Sequence, residues 1–228
     1  MEKVAEFVKE DIEIFGANDK PRVLPAVQVI KIGNKTIVPI RNLIQAEQHV
    51  IAEEEGIKEK QLPLIALLYA DPFEKEISPG IELEKSNFKS FKGVIREAIR
   101  IQKMLFEIWQ RSIKIGYGNL YPHHTFYADK YGPVSRDLKP EMKNLEDNGL
   151  VKVHWARGTG ETSTFELTQK GMEKAKEIWK QTPDKIKDII IDTKNFLAFL
   201  DSKDIVEYFH TKYPEYKKIE EPDKNTPN

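Results

Sequence analysis

Apolar positions along this 228-residue chain fall into helical and alternating runs that change at glycine and proline. In residues 2–15, Val4, Val8, Ile12 and Phe15 are spaced by four, four and three, which predicts a short amphipathic helix. Gly16-Ala17-Asn18-Asp19-Lys20-Pro21 breaks it. Residues 27–32 and 35–40 are β-rich runs around Gly33-Asn34, the composition of a two-residue hairpin turn. Pro39 gives the second strand an exposed edge. Asn42, with Gln45 three residues on, caps a helix reaching Gly56. Residues 62–69 are apolar throughout and fit a buried strand or a helix; Pro63 suits a first helical turn and favours helix. Pro72, Pro79 and Gly80 mark 71–88 as a connection, with a domain boundary near residue 85.

Residues 89–112 predict one long helix, its stripe made by Val94, Ile95, Ala98, Ile101, Leu105, Ile108 and Trp109. Gly116-Tyr117-Gly118 ends it, 125–131 fit a short second helix, and Gly132-Pro133 makes a turn. A third helix carries Leu138, Met142 and Leu145 inward. Pro140 fixes where it starts. With Ser135 as N-cap, Pro140 would remove an internal hydrogen bond. With Asp137 as N-cap it falls in the first turn, where its missing N–H costs nothing. Val151, Val153 and Trp155 alternate with Lys152, His154 and Ala156, as in a half-buried strand. Residues 157–161 form a glycine-bearing tip, and Phe165 and Leu167 point inward on the return strand. Thr168 then caps a helix with Met172, Ala175 and Trp179 on one face. Beyond Pro183, Ile186, Ile189, Ile190, Phe196, Leu197 and Leu200 mark another amphipathic helix. A last helix spans about 203–213, and 217–228 reads as disordered.

Charged residues make up 32% of the chain, and its longest apolar stretch, 62–70, is far shorter than the ~20 residues of a membrane helix. The start, Met1-Glu2-Lys3-Val4, lacks the basic-then-apolar layout of a secretory signal, so a cytoplasmic protein is expected. The absence of cysteine excludes disulfides, thiolate metal sites and a cysteine nucleophile. Lysine outnumbers arginine and glutamate is abundant, which leans towards a thermophile. The net charge of −1 conceals an uneven distribution. Residues 1–88 carry 11 Lys and Arg against 16 Asp and Glu, whereas residues 89–180 carry 17 against 11. A local basic excess of this kind is the footprint of a phosphate-binding surface.

Catalytic and metal-binding patterns are weak. His123 and His124 are adjacent and diverge on a helix or strand, and His49, His154 and His210 stand in separate elements. Glu53-Glu54-Glu55 reads as a solvated helix face. No Walker loop, dinucleotide fingerprint or nucleophile elbow occurs. The expectation is a protein that is not an enzyme and needs no metal or cofactor.

Three runs together, Tyr131-Gly132-Pro133-Val134-Ser135-Arg136-Asp137-Leu138, Leu145-Glu146-Asp147-Asn148-Gly149-Leu150-Val151 and Phe165-Glu166-Leu167-Thr168-Gln169-Lys170-Gly171, resemble the winged helix-turn-helix regulators of MarR and PadR type. The likeness covers roughly residues 90–180. It implies that the third helix enters a major groove while the wing touches backbone or minor groove. Arg136, Lys139, Lys143 and Asn144 then lie on the outer side of that helix, and Lys152, His154, Arg157 and Thr159 on the wing. Arg and Asn suit base edges, and Lys suits phosphate. Glu141, Glu146 and Asp147 on the same helix would repel phosphate.

The expected fold is α+β and predominantly helical: an N-terminal hairpin-plus-helices region (1–85), a winged-helix domain (86–181), C-terminal helices (182–216) suited to dimerisation, and a tail (217–228). The expected function is that of a transcriptional regulator binding duplex DNA as a homodimer, without catalysis, its dimer contact made by the long helix 89–112 or by the helices after Pro183. The alternative is a docking or assembly module whose winged helix, or acidic N-terminal region, engages a protein partner.

Overall fold

Residues 5–15, 21–32, 35–37, 57–73, 89–117, 124–158 and 161–218 are described by a computed structural model. The first of them are strands. β1 (Ala5–Phe15), β2 (Pro21–Ile32) and β3 (Lys35–Ile37) form an antiparallel sheet in that order. The helix expected over 2–15 is therefore a strand. An interval of four is even, so positions 8 and 12 share a strand face as readily as a helix face. Long-range pairing with β2 decides between the two. Glu10 opposes Val27 and Ile12 opposes Leu24, so Pro25 and Ala26 together oppose Asp11. A proline has no N–H to lose at such a bulge. Ile32 pairs with Lys35, as a two-residue turn requires; Gly33, Asn34, Pro39 and the expected helix 42–56 lie outside the described residues.

The apolar run forms a helix, α1 (Leu62–Tyr69), with Pro63 in its first turn. Leu62 to Leu68 are all buried, the mark of a helix surrounded by core. One buried side chain serves the carbonyls at the α1 C-terminus. Lys194 Nζ donates to the carbonyls of Leu67, Leu68 and Ala70 at 2.8, 2.9 and 2.8 Å. A cation suits the negative end of the helix dipole, although burial pushes the pKa of Lys194 well below its ordinary value.

The segment 89–112 is not one helix. β4 (Ser90–Phe91) and β5 (Val94–Arg96) form a tight hairpin turning at Gly93, whose φ of +82° suits glycine. Only then does α2 (Ala98–Lys114) begin. Residues 125–131 are not helical either: β6 (Phe126–Tyr127) pairs with β7 (Val134–Ser135). Phe126 is drawn into the core, where it stacks on Trp109 at 5.5 Å, and this favours extended chain. α3 (Leu138–Asp147) follows with Asp137 as its N-cap residue, as Pro140 required. β8 (Val151–His154) and β9 (Thr164–Leu167) are the expected hairpin, and β9 also pairs with β5, giving a sheet ordered β4-β5-β9-β8. The chain is completed by α4 (Gln169–Gln181), α5 (Asp184–Ala198) and α6 (Ser202–Lys212). Lys217, expected in a disordered tail, bridges to Asp129, and the Lys218 N–H donates to the Asp129 carbonyl at 3.2 Å.

The protein is α+β, and its elements from residue 57 onward pack around one hydrophobic cluster, in which α1 shares contacts with the helices that follow residue 89. Phe106 of α2 stands at its centre, with Phe126, Tyr213 and Tyr216 at 5.1, 4.9 and 4.7 Å. Beside it the buried Glu107 accepts from Lys212 at 2.6 Å and from the Tyr213 hydroxyl at 2.9 Å. The fully buried Arg100 donates to the carbonyls of Leu197 and Leu200, so α2 also caps the end of α5. The apolar stripe of α2 is thus used within the chain. Among the described residues, no helix is long and apolar enough to cross a membrane.

Candidate nucleic-acid interface

α3 owes its position to side chains of α2. Gln102 receives the Ser135 N–H at 2.7 Å and donates to the Ser135 carbonyl at 3.2 Å, taking the place of a neighbouring strand. Lys103 Nζ donates to the Pro133 carbonyl at 2.7 Å. The Asp137 carboxylate does not cap its own helix. It accepts from the Thr125 N–H at 2.8 Å and lies 3.5 Å from Lys60, tying β6 and the 57–61 segment to the start of α3. Burial pushes the Asp137 carboxyl up, but the Thr125 N–H and the nearby Lys60 outweigh it and hold the pKa below the ordinary value.

Lys103 is fully buried, and burial lowers its pKa to about 7, against a weaker upward pull from Asp129. Unfolded, the same group titrates near ~10.4. Between these values the unfolded chain binds more protons, so stability from this group rises with pH; below about 7 both states are charged and it is flat. The melting temperature of the native chain relative to Lys103→Met should therefore climb from about pH 7 towards ~pH 9. A constant difference across that window would contradict the placement of this ammonium.

The residues expected to read DNA divide into two groups. Arg136 and Lys139 are exposed at the start of α3 and make no ion pair among the described residues. Arg136 lies over the Tyr127 ring at 5.0 Å and Lys139 over the Trp155 ring at 5.9 Å. Lys143 and Asn144 are engaged within the chain instead. Lys143 bonds Asp147 at 2.5 Å and lies 3.6 Å from Glu146, and the Asp147 carboxylate raises its pKa. Asn144 Oδ1 accepts from Gln61 Nε2 at 2.7 Å, and the same amide donates to Glu141 at 2.8 Å. Asn144, expected outward and reading base edges, is half-buried, and its side chain receives the 57–61 turn. Nothing local in the sequence signals a partner 83 residues away.

On the hairpin, Lys152 and Arg157 are exposed. His154 Nε2 lies 3.8 Å from Glu161, and the Arg157 N–H donates to the same carboxylate at 2.8 Å. Glu161 thus folds back across the tip. Glu146 accepts from the Val153 N–H at 3.3 Å and fastens α3 to β8. Thr159 lies outside the described residues. Trp155, expected inward, is half-buried, with its ring edge-on to Phe165 at 5.0 Å. Tyr127 belongs to this edge as well and was not among the expected site residues; a strand reading of Phe126-Tyr127 would have put one ring inward and the other outward.

The surface offers two charge regions. Cations are exposed at the near end of α3 (Arg136 and Lys139) and on the hairpin (Lys152 and Arg157), whereas Lys143 with Glu146 and Asp147 makes the far end of α3 mixed in charge. Among the described residues, no three His, Asp or Glu side chains converge as a metal site would need. Set against known protein families and curated proteins, the chain matches none.

Proposed function

We propose that this chain is a non-catalytic winged-helix module that binds duplex DNA, acting as a transcriptional regulator in the cytoplasm. The succession of α2, β6–β7, α3 and the β8–β9 hairpin supports that reading. The observation that carries it is the pair of exposed cations, Arg136 and Lys139, at the start of α3, in the part of the chain with the basic excess. With Asn144 and Lys143 engaged elsewhere, α3 contributes phosphate contacts more than base readout. Replacing Arg136 and Lys139 together by alanine should weaken binding alike on all sequences and reduce the slope of log K against log salt by about 2. Asn144→Ala should leave sequence preference unchanged. A sequence preference that shifts with Asn144→Ala would overturn this division of roles.

The mixed-charge end of α3 favours a second reading, docking of a protein partner. A stoichiometric partner, with no DNA affinity at low salt, would select it. Self-association as a homodimer would fall to the C-terminal helices, where Phe196 and Phe199 are exposed, since the α2 stripe is used within the chain.

A further inference from the structure

We infer that the edge formed by Tyr127, Arg136, Lys139 and Trp155 is a stacking site for unpaired nucleobases, so that this chain prefers a duplex carrying a single-stranded extension to a blunt one. The inference rests on the DNA-binding reading above and adds the class of DNA.

Tyr127 is 44% exposed although its neighbour Phe126 is buried. The ring is not loosely held. Its strand is fixed by the pairings Phe126 with Ser135 and Tyr127 with Val134, and by Phe126 stacked on Trp109. Ser135 is in turn clamped by Gln102. A ring presented on a fixed backbone loses little freedom when it binds. Trp155 is likewise steadied from within, by Phe165.

The two rings alternate with cations along the start of α3: Arg136 covers Tyr127 and, three residues on, Lys139 covers Trp155. Cations interleaved with aromatic faces suit a strand whose phosphates and bases are both available. Duplex DNA offers base edges and phosphates, but its π-faces are spent in the stack. Unpaired bases offer those faces, and arginine adds a cation–π contribution. Glu146 and Asp147 are tied to Lys143 at the far end of α3; at the near end the Asp137 carboxylate is held by the Thr125 N–H and Lys60, and Glu141 accepts from Gln61.

Fluorescence anisotropy at low salt on the full chain tests the inference, with a blunt duplex, the same duplex bearing an oligothymidine extension, and two variants. The extension should tighten binding about tenfold. Tyr127→Ala should abolish that gain, bringing the affinities for the extended and blunt duplexes together, with a cooperative melting transition showing that the variant is folded, and Tyr127→Phe, which keeps the ring face, should retain it. If the blunt duplex binds and the extension adds nothing, or if Tyr127→Ala keeps the gain, the stacking site is refuted and the duplex-binding reading stands. If neither DNA binds, both fail.

Discussion

Phe106→Ala is expected to destabilise the chain by about 3–5 kcal/mol. Phe106 is fully buried, and its ring meets those of Trp109, Phe126, Phe209, Tyr213 and Tyr216 at 5.7, 5.1, 6.1, 4.9 and 4.7 Å. Most of these contacts are edge-to-face, the arrangement that adds to simple area burial. The partners come from α2 itself, β6, α6 and residues 213–216 that follow it, so no single element can move to fill the cavity without pulling on the others. Urea denaturation reads the loss as a lower midpoint at similar slope. A loss under ~1 kcal/mol would show that the site collapses freely. Because Phe126 anchors β6, the same variant should also loosen Tyr127 at the proposed stacking edge.

Gly171→Ala is the second large effect, at about 3 kcal/mol. A Cβ at Gly171 would sit 1.9 Å from the Leu150 carbonyl oxygen and 2.9 Å from its carbon, both backbone atoms. The contact is close because α4 docks its first turn onto the 149–150 turn. The Thr168 N–H donates to Leu150 O at 3.0 Å, the Thr168 hydroxyl donates to Gly149 O at 2.7 Å, and the Gly171 N–H donates to the Thr168 hydroxyl at 3.0 Å. An added methyl must lift α4 away and break this set. Gly116→Ala is the control. Nothing lies within 4 Å of a Cβ there, and only the φ of +82° opposes it, so the cost should be about 1–2 kcal/mol. Equal melting temperatures for the two variants would refute the packing argument.

The Leu-Thr-x-x-Gly run shows where sequence reasoning reaches furthest. Thr168 was legible as an N-cap from its place before an amphipathic run, and Gly171 from the motif. Pro140 likewise fixed the start of α3 by stereochemistry alone. Three strand segments were not legible, each for its own reason. The even spacing in β1 satisfies both periods. Val94 and Ile95 extended the stripe of α2 backwards up to Gly93, and a helix drawn from residue 89 hid the β4–β5 hairpin. Phe126 belongs to a strand because Trp109 and Phe106, far along the chain, make room for it. The candidate site divides in the same way. Exposure of Arg136, Lys139, Lys152 and Arg157 follows from local pattern. The capture of Asn144 by Gln61 and the pinning of Pro133 by Lys103 are tertiary facts that periodicity cannot carry.

Binding of the full chain to a duplex across a salt series tests the central claim most directly. With Arg136, Lys139, Lys152 and Arg157 meeting phosphate, log K should fall linearly with log salt at a slope of about −3 to −4. No binding at low salt, or binding indifferent to salt, would contradict it.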